Sequence, residues 1–371
     1  MPIITAIEAH HIRVPFDMGA PPTVFAGMAW TAIDSLFVRV VTDDGREGWG
    51  EGWGHAACAA TQTALETMVG PACLGADAAD VSGLHTRMAQ RFHISGRGGP
   101  VTYALSAIDI ALWDLAAQRA NLPLYRLLGG APCDGLDAYA SLLRYGAADA
   151  VAAAISRAKA RGYREVKLHE IDLDVVRAAR AAGGDALRLT LDTNCPWSVE
   201  EAIAKARALA GCNLAWLEEP VWPPEDHAGL ARVRREGGIP VAAGENVVSA
   251  VEFTQLFEAG SVDVAQPSVI KLGGITPVID AARRAARAGV TYVPHCAYFG
   301  PGYLASLHLG AALAPTAGFE RLYLDLEASP YGAAVEAQAG RVSVPQGAGL
   351  GVAPDTGVID RYRVGKAVLL R

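Results

Sequence analysis

From residue 137 to residue 325 one pattern repeats: a short apolar run with strand character, then an alanine-rich stretch with helical spacing. The runs are DAYAS (137–141), REVKLH (164–169), LRLTLD (187–192), LAWLE (214–218), PVAAGE (240–245), VDVAQP (262–267), VTYVPH (290–295) and FERLYLD (319–325). Stretches such as AADAVAAAISRAKARG and TPVIDAARRAARAG lie between them. Units spaced about 25 residues apart predict parallel strands joined by helical crossovers, the period of a (β/α) barrel. The competing solution is an open doubly wound sheet. Its usual GxGxxG turn between an early strand and helix is absent.

The first part of the chain reads differently. ITAIEAHHIRVPF and SLFVRVVTDDGREGWGE alternate as strands do, with DDG as a hairpin turn. Between them lies a Gly/Pro-rich loop (17–30) of the kind that covers a site, mostly small and apolar, with Met18, Val24, Phe25 and Met28. ALSAIDIALWDLAAQRA has helical spacing and no breaker, and LLGGAPCDG after it marks a boundary. The expected organisation is α/β. An α+β capping domain spans 1–130, a barrel spans 131–330, and the segment 331–371 returns to pack on the cap.

A chain of 371 residues is too long for one small core. A net charge of −7 without a Lys/Arg block argues against a nucleic-acid partner and gives no sign of membrane attachment. The six cysteines form no CxxC pair and read as free thiols in a reducing compartment. MPIITAIEAHHIRVPF lacks a basic region followed by an apolar core, and LASLHLGAALAP is too short to span a bilayer. A cytoplasmic protein is expected.

In a parallel barrel, function sits at the C-terminal ends of the strands. Those ends read Lys167 and His169, Asp192 and Asn194, Glu218 and Glu219, Glu245 and Asn246, Gln266 and Ser268 with Lys271 beyond, and His295. Lys167 and His169 are two apart and share a face if their run is a strand. Asp192, Glu218 and Glu245 stand on three adjacent strands, so their charges converge and repel. A divalent cation relieves that repulsion. Oxygen-only ligation favours Mg²⁺ or Mn²⁺ over Zn²⁺.

LDTN (191–194), WLEEP (216–220), AGEN (243–246) and QPSVIKLGGIT (266–276) resemble the enolase superfamily, in its mandelate racemase and muconate lactonizing branch. GWGE (48–51), ALSAIDIALWDL (104–115), LLGG (127–130) and GLGV (349–352) match it too, so the resemblance covers the whole chain. It implies a modified (β/α)7β TIM-type barrel under an α+β cap completed by the C-terminal tail. It implies metal ligation by Asp192, Glu218 and Glu245, with Glu219 behind them and Asn194 near the metal or substrate.

The chemistry implied is removal of a proton alpha to a carboxylate, with a Lys or His base and Mg²⁺. KLH stands where the family often has Lys-x-Lys, so His169 occupies the usual base position, with Lys167 beside it as the alternative base. His295 matches the family's second catalytic histidine. Its usual Asp partner is replaced by Ser268, so Ser268 or a water must fix its tautomer. Lys271 either reaches the site or supports its loop. Glu320 resembles an eighth-strand Glu that donates to the substrate carboxylate, with Glu327 as its rival. Trp53 and His55 follow GWGE in a loop that touches substrate in relatives. Arg13 and Arg144 are candidates for a distal carboxylate, while His10, His11 and His93 need no function.

The expected activity is Mg²⁺-dependent dehydration of a hydroxy acid or sugar acid, a small-molecule carboxylate. Racemisation or epimerisation of a 2-substituted carboxylate and cycloisomerisation of a sugar lactone are the alternatives, and a non-catalytic relative that binds a carboxylate is the reading of a different class, set against the complete carboxylate triad. Relatives of this kind often form homo-oligomers, and one is expected here by analogy.

Overall fold

Three long strands, Ile4–Asp17, Ala32–Thr42 and Glu47–Gly52, form an antiparallel sheet in the computed structural model. The structure describes residues 1–25 and 27–371; Ala26 and the side chain of Phe25, both in the covering loop, lie outside the described residues. Side chains on one face of the sheet, among them Ile4, Ile7, Leu36, Val38 and Val40, are buried with the helix Pro100–Arg119, a register shift after Ile4 bringing Ile4 and Ile7 to the same side. The glycines of GWGE allow that packing: a Cβ on Gly50 would lie 1.9 Å from the carbonyl oxygen of Ala107. The loop folds into a two-strand hairpin of Val24–Phe25 and Met28–Ala29.

The eight runs are eight strands: Gly135–Ser141, Glu165–Leu168, Arg188–Asp192, Leu214–Glu218, Val241–Ala243, Val264–Ala265, Thr291–Tyr292 and Phe319–Leu322. Neighbours pair in parallel from the first to the seventh, and the eighth pairs with the first. Between the seventh and eighth, Cys296 N donates to Glu320 Oε2 at 2.8 Å. A helix follows each of the first seven strands, giving (β/α)7β. Several of these helices start on a side-chain cap, at Asp172, Ser198, Asp226 and Ser249, with a reciprocal capping box between Ser198 and Glu201.

The tail divides between the two bodies. Arg341–Ser343 pairs antiparallel with the first barrel strand, burying Val342, while Arg363 bridges Ile12 and Val368–Leu370 joins the cap sheet beside Ile4–Asp17. All six cysteines are free. Among the described residues, no helix is long and apolar enough to cross a membrane.

Candidate active site

Asp192, last residue of the third barrel strand, lies in register with Glu218, last residue of the fourth. Glu245 follows the fifth strand after Gly244, whose φ of +140° suits only glycine at that turn. One oxygen from each carboxylate lies within 4.8 Å of the other two.

Glu218 accepts from Trp216 Nε1 at 3.1 Å, Gln266 Nε2 at 2.8 Å and Lys167 Nζ at 2.9 Å. Burial, then the charges of Asp192 and Glu320, drive its carboxyl far above the ordinary range against the pull of Lys167. Burial also raises Asp192, but Lys167 and His169 outweigh it and hold the carboxyl well below its usual range. Glu245 is raised by burial and brought down to about 2 by His295 and Lys271. Three carboxylates thus crowd one small space with Lys167 beneath two of them, and the donors that converge there are all oxygens. A hard divalent cation fits both features.

His169 stands just past its strand, with Nδ1 2.5 Å from Leu142 O and Nε2 3.2 Å from Asp192 Oδ2. A carbonyl only accepts, so Nδ1 carries a proton, and Nε2 is the nitrogen turned toward the carboxylate cluster. His295 presents Nε2 to Glu245 Oε2 at 2.6 Å, while its buried Nδ1 has no hydrogen-bond partner among the described residues. Ser268 does not take the missing partner's place. Its hydroxyl lies 3.5 Å from Tyr298 Oη, and Tyr298 Oη donates to the backbone oxygen of His295 at 2.9 Å. Glu245 orients the ring instead.

Lys167 departs from the expectation of an alternative base. It is fully buried, one layer below His169, with Nζ 3.2 Å from Asp192, 2.9 Å from Glu218 and 2.7 Å from Glu320. Burial lowers its proton affinity, but those carboxylates raise it well above the lysine range. Glu320 departs likewise. Its oxygens are taken by Lys167, Ser141 Oγ and Cys296 N. Glu327 is half exposed and bonded to Tyr362.

His169, His295 and Glu245 open onto a cavity of about 430 Å³ that is also lined by Asn194, Lys271, Arg144, Trp30, Trp53 and His55. Neither Lys167, Ser268 nor Glu320 lines it. Asn194 N donates to Asp192 Oδ1 at 2.9 Å, and its residue takes φ +56°, as do Cys195 at +56° and Glu219 at +45°. Left-handed non-glycines at strand ends are strained positions of the kind found at functional sites. Lys271 Nζ donates to Asn246 Oδ1 at 3.1 Å and stands 4.9 Å from the Trp53 ring centre. Arg144 is tied to the backbone oxygen of His169 at 2.6 Å and so faces the cavity, whereas Arg13 pairs with Asp34 on the cap. Trp30, from the covering hairpin, had no motif to mark it in the sequence.

A (β/α)7β barrel with three carboxylates at its mouth, beneath an α+β cap, is the architecture of an enolase-superfamily enzyme. The chain belongs to that superfamily, in the mandelate racemase / muconate lactonizing enzyme branch. The N-terminal domain of that family matches residues 7–129, and the enolase C-terminal domain-like family matches 127–358. The chain is 38% identical, over 65% of its length and 68% of the relative's, to a 3,6-anhydro-α-L-galactonate cycloisomerase of Streptomyces coelicolor. It is 30% identical to a D-galactarolactone cycloisomerase of Agrobacterium fabrum, over 97% of its length and 99% of the relative's. The crystal structure of an L-talarate dehydratase from Polaromonas sp. JS666, complexed with Mg and L-glucarate, superposes with a TM-score of 0.83 at 27% identity, covering 100% of this chain and 99% of that one.

Proposed function

We propose that this enzyme removes the proton alpha to the carboxylate of a hydroxy acid or sugar acid and eliminates the β-oxygen, a Mg²⁺-dependent dehydration. The observation that carries the reading is the pair of histidines at opposite ends of the carboxylate cluster, His169 against Asp192 and His295 against Glu245, both on one cavity.

Asp192, Glu218 and Glu245 would hold Mg²⁺, which when bound stabilises the negative charge developing on the substrate carboxylate. His169, its ring held by Nδ1 on the Leu142 carbonyl, takes the alpha proton at Nε2. His295 delivers the Nε2 proton to the β-oxygen as the carbon–oxygen bond breaks. Water leaves, and the resulting enol tautomerises to a 2-keto acid. Lys167 does not line the cavity. It offsets the buried charge of Asp192, Glu218 and Glu320. Lys271 and Arg144 supply the cavity's positive charge toward an acidic substrate.

A second reading is favoured by the two cycloisomerase relatives. Where the β-oxygen belongs to a ring, the same two proton transfers open the ring and release no water.

The test is proton NMR in D₂O with Mg²⁺ and a panel of hydroxy acids, sugar acids and their lactones. Loss of the alpha proton together with a 2-keto acid is expected, and H169Q should abolish both. Exchange without elimination would mean a racemase or epimerase and would overturn the reading.

A further inference from the structure

The segment 295–300 carries His295 from the seventh barrel strand to the helix Pro301–Leu313 with no helix or strand of its own. The barrel holds it at Cys296 N through Glu320, and Tyr298 Oη ties back to the carbonyl of His295. The cap holds it at two more points. His55 Nε2 lies 3.2 Å from Ala297 O, and Gly302 N donates to Glu51 Oε2 at 2.9 Å, with Gly300 N as a further donor.

Glu51 is 1% exposed, and among the described residues no Lys, Arg or His forms an ion pair with it. A carboxylate buried without a cation is costly unless its oxygens are hydrogen-bonded. Here the donors are the Ser35 hydroxyl and the two glycine N–H groups at the start of the helix. Those glycines also make the room. A Cβ on Gly300 would lie 2.4 Å from Glu51 Oε2, and one on Gly302 would lie 2.9 Å from it. GWGE (48–51) and FGPG (299–302) are thus two halves of one contact between cap and barrel.

We propose that Glu51 is a positioning residue for His295: the cap docks a buried carboxylate onto the exit of the histidine's loop and so fixes where the imidazole stands beside Glu245. The cap then helps to set the proton donor, besides covering the substrate. The proposal rests on the reading of His295 as a catalytic group.

The test is a double-mutant cycle on the full-length enzyme with Mg²⁺, using the substrate found by the NMR panel. E51Q keeps the volume and one acceptor oxygen but sets an NH₂ against the backbone donors. The expected result is a kcat about 10- to 100-fold lower, with KM within about twofold and thermal midpoint near that of the parent. E51Q/H295N should lose no more than H295N alone. E51D, which keeps the carboxyl and shortens the reach, should fall between E51Q and the parent, and it decides the cycle if E51Q does not fold. An unchanged kcat in both variants, or losses that multiply with that of H295N, would overturn the proposal. H295N at the parental rate would instead remove the reading of His295 on which it rests.

Discussion

Lys167 Nζ stands 2.7 Å from Glu320 Oε1, below the metal-type carboxylates and out of the cavity. The same ammonium reaches Asp192 and Glu218, so one buried cation serves three buried carboxylates. Removing one partner of a buried ion pair costs about 3–5 kcal/mol, because the other is left uncompensated. K167M should therefore lose roughly that much unfolding free energy in EDTA. Added Mg²⁺ should restore part of it by supplying charge to Asp192 and Glu218, leaving Glu320 unpaired. Urea denaturation with and without Mg²⁺ checks this. Equal losses in the two conditions would separate Lys167 from the metal cluster.

A ligand that binds only the folded state stabilises it by mass action, about 2.7 kcal/mol at a hundred times its Kd. Mg²⁺ should raise the thermal midpoint of the parent protein, and EDTA should reverse the rise and stop turnover until Mg²⁺ is returned. D192N removes one charge from the cluster and leaves an amide oxygen that can still accept from Asn194 N. It should lose most of the Mg²⁺-dependent shift and at least about a thousandfold in turnover. Thermal melts over a Mg²⁺ titration, read beside the NMR assay, test both parts.

The barrel was legible because strands buried on both faces show as unbroken apolar runs, and the length of each unit leaves room for a crossover helix. Asp192, Glu218 and Glu245 were legible because strand ends are where a barrel presents chemistry. Depth was not legible. A period of two says that Lys167 and His169 share a face, but not that one lies below the other, beneath the ring of carboxylates. Glu320 was misread for the same reason. The contact between Glu51 and Gly302 spans 251 positions, and nothing local to either residue announces it. The left-handed turns at Asn194, Cys195 and Glu219 were equally hidden, since none is a glycine. The segment 331–371 was read as packing on the cap; its end does so at Val368–Leu370, and Val342 besides finds a buried place beside the first barrel strand.

Asp114 in the helix Pro100–Arg119 accepts from Trp49 N at 2.9 Å and Leu350 N at 2.8 Å, and burial raises its carboxyl to about 6. A carboxyl raised on folding binds its proton more tightly in the native state. Its contribution is therefore full below pH 4 and is lost as pH rises toward 6. A carboxyl raised from its ordinary range to about 6 corresponds to roughly 3 kcal/mol. D114N cannot ionise, so its stability relative to the parent should improve by about that amount between pH 4 and pH 7. Urea midpoints across that range check it. A difference that stays constant with pH would mean that Asp114 keeps its ordinary affinity.

Lys271 sits where cap and barrel meet over the cavity, with Nζ bonded to Asn246 and placed 4.9 Å from the Trp53 ring centre. As a brace for the indole it is worth about 0.5–1 kcal/mol. As a cation facing an acidic substrate it is worth more, because the cavity is partly closed to water. K271M keeps the length of the side chain and deletes the charge. If the substrate role dominates, KM should rise about tenfold, equivalent to about 1.4 kcal/mol, while stability changes by less than about 1 kcal/mol. K271R should recover most of the loss, since a guanidinium still meets a carboxylate and still stacks on an indole. Steady-state kinetics on both variants, with their urea midpoints, separate the two roles. A stability loss with KM unchanged would make Lys271 a brace alone.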